Sequence, residues 1–84
     1  MAVTVKFFAS VREAVGVASE TLALPAGVTT VGQLREHLAG RGDHWSQALS
    51  SPALRMAYNQ VMCNADADVL DGAEVAFFPP VTGG

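Results

Sequence analysis

The residues with the most chemical content stand at the end of the chain. There Glu74-Val75-Ala76-Phe77-Phe78 runs through Pro79-Pro80-Val81-Thr82 into Gly83-Gly84, and no charged side chain follows Glu74. Chain ends ordinarily collect polar, disordered residues. An uncharged end closing on two glycines therefore points to the terminal carboxylate of Gly84 as the reactive group. Glycines lack the side chains that would block a narrow channel or crowd a reagent approaching the carbonyl. A carboxylate is a poor electrophile, because attack adds charge to an anion with no good leaving group. Activation by a nucleotide, giving an acyl-adenylate, removes that obstacle, after which sulfur or an amine can displace AMP. Pro79-Pro80 stiffens the exit from the preceding strand, and the stretch 79–84, read as a flexible tail, spans roughly 20 Å when extended. That is long enough to enter a neighbour's pocket.

The other residue types capable of chemistry do not assemble into a site. Cys63 is the only cysteine, so neither an intramolecular disulfide nor a multi-cysteine metal site is available. It reads as a small strand residue, since nothing near it in sequence resembles an activating base. Asn64, Asp66 and Asp68 imitate the opening of a calcium loop, but Val69 stands where glycine is required and Val75 where the closing glutamate belongs. His37 and His44 lack metal-ligand spacing with other donors. No metal site is expected.

The elements that must carry the tail follow from periodicity and turn chemistry. Val3-Thr4-Val5-Lys6-Phe7-Phe8-Ala9 alternates as a strand with Val3, Val5 and Phe7 on one face. Ser10 to Val15 predicts a short helix with Ser10 as its cap and Gly16 as its stop. Ser19 to Leu24 is a second strand, antiparallel to the first on account of the short connection. Thr30-Val31-Gly32-Gln33 has the form of a capping box. It opens the main helix, whose apolar face is Val31, Leu34 and Leu38 and whose left-handed stop is Gly40 or Gly42. Asp43 is read as the cap of a further short helix containing Trp45, Ala48 and Leu49. Leu54 to Tyr58 and Val61 to Cys63 are short strands around Asn59-Gln60, with their pairing left open. Asp71-Gly72 is a turn, and Glu74 to Phe78 is the last strand, stopped by Pro79-Pro80.

The two Phe-Phe pairs place large apolar groups on both faces of their strands, whereas one main helix covers only one face. If Phe7 and Phe77 face the helix, alternation sends Phe8 and Phe78 to the open face, where Met62 can join them. An apolar patch of that kind predicts a protein partner. The competing reading has a short helix or loop covering part of Phe8 or Phe78.

Length and composition narrow the function classes. With 84 residues, half of them apolar, the chain reads as one compact domain over residues 1–78 followed by the tail 79–84, too small for a deep enclosed active site. A net charge of −3 with five cations gives no basic stripe, so nucleic acid is not an expected partner. There is no membrane-span pattern and no signal-like leader, which together with the single cysteine suggests a cytoplasmic setting.

Val5-Lys6-Phe7-Phe8-Ala9-Ser10-Val11-Arg12-Glu13, Asn59-Gln60, and the closing block from Asp71 to Gly84 together resemble the small, sulfur-carrying subunit of molybdopterin synthase, a ubiquitin-like β-grasp protein. The likeness runs over essentially the whole chain, and Phe-Phe-Pro-Pro-Val-Thr-Gly-Gly is its most specific part. It implies an α+β fold: a mixed sheet of about five strands packed on one main helix with short extra helices, the first and last strands parallel at its centre. It further implies that an E1-like adenylating enzyme uses ATP and Mg to activate the Gly84 carboxylate, with no cofactor bound by the carrier itself. A sulfur donor protein then makes the thiocarboxylate. The tail, Pro79, Pro80, Val81, Thr82, Gly83 and Gly84, enters the large synthase subunit, where the sulfur passes to cyclic pyranopterin monophosphate to build the molybdopterin dithiolene. By the same resemblance Phe8, Met62 and Phe78 form the docking patch with Arg12 beside it, and the synthase is a heterotetramer with two small subunits at its ends. The carrier is thus a sulfur-donating subunit and not an enzyme on its own. Two other classes stay open at this point: a carrier for another pathway, such as thiamine thiazole formation, or a protein modifier; and a plain binding module with an inert tail.

Overall fold

The computed structural model describes residues 2–80. Val81, Thr82, Gly83 and Gly84 lie outside the described residues. The chain begins as strand β1 (Ala2–Phe7), followed by helix α1 (Ala9–Val15) and strand β2 (Ser19–Ala23). Helices α2 (Val31–Ala39) and α3 (Asp43–Leu49) come next, then strands β3 (Arg55–Tyr58), β4 (Val61–Cys63) and β5 (Glu74–Phe78). The five strands form one mixed sheet in the order β2-β1-β5-β3-β4. β1 and β5 run parallel with Val5 opposite Val75 and Phe7 opposite Phe77, and the other pairs are antiparallel. This is the β-grasp arrangement expected of the chain.

Burial on one face of the sheet explains why it forms. Val3, Val5 and Phe7 of β1 and Val75 and Phe77 of β5 are at most 1% exposed and pack with Val31, Leu34 and Leu38 of α2, all fully buried. Spacings of three and four put those α2 residues on one stripe, and alternation puts the strand residues on one side. Phe7 stacks on Phe77 at 6.3 Å and meets Trp45 of α3 edge-on at 5.4 Å. α2 starts at a complete capping box: the Thr30 hydroxyl accepts from the Gln33 amide, and the Gln33 side chain accepts from the Thr30 amide. Gly32 on α2 is tied to a close approach, because a Cβ there would lie 2.9 Å from the Cβ of Ala65.

Three local expectations need correction. Ser10 does not cap α1; Phe8 occupies the N-cap position with an extended backbone and no side-chain cap bond. Its amide is used by the Phe77 carbonyl at 3.2 Å, so the parallel pairing with β5 continues one residue past β1, and the chain then turns sharply through Ala9 (φ 51). Asp43 does not cap α3 either, since it is the first helical residue and Gly42 precedes it as N-cap. Nor does α2 end in a left-handed glycine. Gly40 stays right-handed (φ −75), and Gly42 takes the unusual backbone (φ 153) because the chain must redirect at once into α3. The left-handed stop predicted at Gly16 is present, with φ 82 and its amide bonded to the Arg12 carbonyl at 2.9 Å.

Candidate functional site

The face of the sheet turned away from the helices can be assembled from the strand registers, because residues opposite one another share a side. At the end nearest the chain's exit, Phe78 of β5 stands opposite Arg55 of β3. Phe8 continues the β1–β5 register beside Phe78, following the pair Phe7 and Phe77. In the next row lie Lys6, Ala76, Ala57 and Met62 in order across β1, β5, β3 and β4. One row further in, Thr4 stands opposite Glu74, whose carboxylate holds the Lys6 ammonium at 3.3 Å.

The expected patch is present in this grid. Phe8 is 48% and Met62 59% exposed, large values for apolar side chains, and Phe78 is half-buried. Ala57 and Ala76, directly opposite each other, are buried yet stand apart from the core cluster. They form a floor of small side chains between the larger walls. Neither was singled out from the sequence, since their importance lies in a β3–β5 pairing between strands separated by a hairpin and a loop. Arg12 sits on α1, where the amide of Arg12 bonds the Phe8 carbonyl at 3.3 Å; its guanidinium has no carboxylate partner among the described residues.

The patch lies where the chain leaves the sheet. Pro79 and Pro80 follow Phe78 directly and line a groove of about 280 Å³ together with Ser10, Val11 and Ala14 of α1, Gln47 and Ala48 of α3, and Leu54. The prolines thus leave along the seam between the two short helices, a feature not apparent from the sequence.

The motif Asn59-Gln60 has a structural role here. Both residues are left-handed (φ 49 and 69), as a tight β3–β4 hairpin requires. The Asn59 side-chain oxygen accepts from the Glu74 amide at 2.9 Å, while the Asn59 amide donates to the Glu74 carbonyl at 2.8 Å, locking the hairpin to the start of β5. Asp71-Gly72 holds the other strand: the Asp71 carboxylate accepts from the Ala2 amide at 2.7 Å, and the Gly72 amide donates to the Ala2 carbonyl at 2.8 Å. Together they hold β1 and β5, the two strands that deliver Phe8 and the tail.

Side-chain chemistry elsewhere is structural. Burial pushes the Cys63 thiol up, which disfavours the thiolate a nucleophile needs. Arg41 grips the Glu20 carboxylate with two hydrogen bonds of 2.7 and 2.5 Å and lies 4.7 Å over the Trp45 ring. Those bonds hold the Glu20 carboxyl below its usual range, and Glu20 in turn raises Arg41. No group of metal-ligating side chains occurs among the described residues, and no described helix is long and apolar enough to cross a membrane.

Comparison with known proteins now adds a family. The model of the ThiS family matches residues 5–84. The chain belongs to the ThiS family. It is 48% identical over 82 residues to the molybdopterin synthase sulfur carrier subunit of Escherichia coli K12, covering 98% of this chain and 99% of that one. Among solved structures it is similar to a putative molybdopterin converting factor subunit 1 from Pyrococcus furiosus, with a TM-score of 0.77, 30% identity and coverage of 96% and 99%. A complex of subunits 1 and 2 of molybdopterin-converting factor from Helicobacter pylori matches with a TM-score of 0.69 at 24% identity, covering both chains fully, a likeness of fold.

Proposed function

We propose that this chain is the sulfur carrier subunit of a molybdopterin synthase. Near full-length identity to the Escherichia coli carrier is the observation that carries this reading. In the proposed cycle a Gly84 carboxylate oxygen attacks the α-phosphate of ATP, with Mg, on an E1-like adenylating enzyme, and pyrophosphate leaves. A sulfur donor protein supplies the nucleophile that displaces AMP, giving a thiocarboxylate on Gly84. The large synthase subunit receives the tail and directs the sulfur to cyclic pyranopterin monophosphate, where the dithiolene is formed. The chain's own residues perform no bond chemistry beyond that carboxyl group. Their work is presentation: Phe8, Met62 and Phe78 dock on the partner over the Ala57–Ala76 floor, Arg12 makes a polar contact beside them, and Pro79, Pro80, Val81, Thr82 and Gly83 lead Gly84 into the partner's pocket.

Position supports this division of labour, because the exposed Phe8, the half-buried Phe78 and the exit of the chain at Pro79 share one end of the sheet. A surface that docks there meets Pro79 and Pro80, the start of the tail, at the same end. Removal of Gly84 tests the proposal: the shortened chain is expected to fold and melt like the full one and to support no dithiolene formation with the large subunit. Product formed by the shortened chain would contradict it.

A further inference from the structure

The docking face carries a charge pattern opposite to that of the rest of the molecule. The chain is acidic overall, with eight Asp and Glu against five Lys and Arg. On the strands of the open face, however, the charged residues are Lys6, Arg55 and Glu74. Lys6 and Glu74 neutralise each other at 3.3 Å. Arg55 is left as the uncompensated charge of that face: it is exposed and has no carboxylate partner among the described residues. Arg35 and Arg41, by contrast, are used inside the fold, Arg35 on the carbonyls of Leu49 and Ser51 and Arg41 on Glu20.

The place of Arg55 matters as much as its freedom. It stands opposite Phe78, two residues along β3 from Ala57, and so borders the apolar floor at the end where the chain exits. A guanidinium beside an apolar patch is stacked and partly dehydrated when a partner covers it, and it then needs a planar acceptor in that partner. We propose that Arg55 is a partner-binding residue, and that the protein surface seated on Phe8, Phe78 and Met62 presents an apolar side chain over Ala57 and Ala76 with a carboxylate within reach of Arg55. The occupant is a protein segment of mixed apolar and acidic character. This rests on the docking reading above and extends it, since it assigns a charge to the matching surface of the large synthase subunit.

Such a pair at the rim of an apolar contact acts on encounter and register more than on core packing. The test is association of full-length carrier with the purified large subunit, at low and high salt, for wild type and for the variants Arg55→Lys, Arg55→Gln, Arg55→Glu and Phe78→Asp, with thermal melting of each. Arg55→Glu is expected to weaken binding about tenfold at low salt, chiefly through slower association, and Arg55→Gln by about two- to fivefold. Arg55→Lys should retain most of the affinity, and the differences should shrink at high salt. All the Arg55 variants should melt like wild type, because the side chain is exposed. If Phe78→Asp weakens binding while Arg55→Glu leaves it within about twofold, the docking face stands and the role of Arg55 is overturned. Equal, salt-independent losses for Arg55→Gln and Arg55→Glu would overturn the charge pairing, since they would signify lost packing. An unchanged affinity for Phe78→Asp would overturn the docking face and the Arg55 assignment with it.

Discussion

Phe7 and Phe8 are neighbours of the same type, as are Phe77 and Phe78, yet the pleat gives each member of a pair a different task. Phe7 and Phe77 stack on each other under the helices at 1% and 0% exposure. Phe8 stands 48% exposed and Phe78 half-buried on the other side of the same sheet. In a domain this small, each large apolar side chain withheld from the core is a substantial share of the available burial. The contrast teaches that one face of the sheet maintains the fold, while its reverse leaves apolar area uncovered, the area proposed above to meet a second protein. On that proposal, stability and docking are separable by single substitutions one residue apart.

The sharpest way to break this contrast is to truncate both members of one pair. Phe77→Ala removes a fully buried ring that stacks on Phe7 within the core cluster and is expected to cost about 3–5 kcal/mol in urea unfolding. Phe78→Ala should cost about 1 kcal/mol or less. Comparable losses at the two positions would mean that the open face is part of the core. Next in size is the binding effect. Phe78→Asp places a charge in the apolar contact and should weaken the complex with the large subunit by about thirtyfold, roughly 2 kcal/mol, with little change in melting temperature. A complex of undiminished affinity, measured by calorimetry, would assign the wrong face.

The smallest effect concerns the helix side alone. Glu20→Gln breaks the two-bonded contact with Arg41 and should cost about 0.5–1 kcal/mol near neutral pH, without touching binding. The Glu20 carboxyl titrates lower in the folded state than in the unfolded one. Its contribution is therefore fully present above the unfolded value, about 4.3, and is lost as the pH falls through the lowered folded value. Melting curves of wild type and Glu20→Gln should accordingly converge in acid, and a gap that persists there would show that the carboxylate's charge is not its source.

How much of this was legible in the sequence depended on how local the signal was. The Thr30–Gln33 box, the Gly16 stop, the Asp71-Gly72 turn and the alternation of β1 and β5 are all written within a few residues, and each is where the pattern placed it. The caps at Ser10 and Asp43 were misplaced because longer-range demands took precedence. Phe8 is held extended by its bond to Phe77, and Gly42 absorbs the reversal between α2 and α3. Phe8 and Phe78 could be assigned to the open face by alternation, and Met62 only as a residue able to join them, since the pairing of its strand was open. The Ala57–Ala76 floor and Arg55 could not, since their positions follow from pairing β3 with β5, and nothing in either strand specifies the other as its partner. The groove beneath Pro79 and Pro80 was hidden for the same reason, being built by residues of α1, α3 and the segment leading into β3.

The central claim is that the reactive group is the carboxyl of Gly84 and that the folded body only presents it. Intact-mass measurement addresses it directly: the purified full-length chain is incubated with ATP, Mg, the adenylating enzyme and a sulfur source, and its mass is compared with that of the chain lacking Gly84 treated in the same way. The full chain is expected to gain the mass difference between one sulfur and one oxygen, confined to its C-terminal peptide, and to lose it again on incubation with the large subunit and cyclic pyranopterin monophosphate. An unchanged mass for the full chain, or an equal gain by the shortened one, would contradict the assignment of Gly84 as the sulfur-bearing residue.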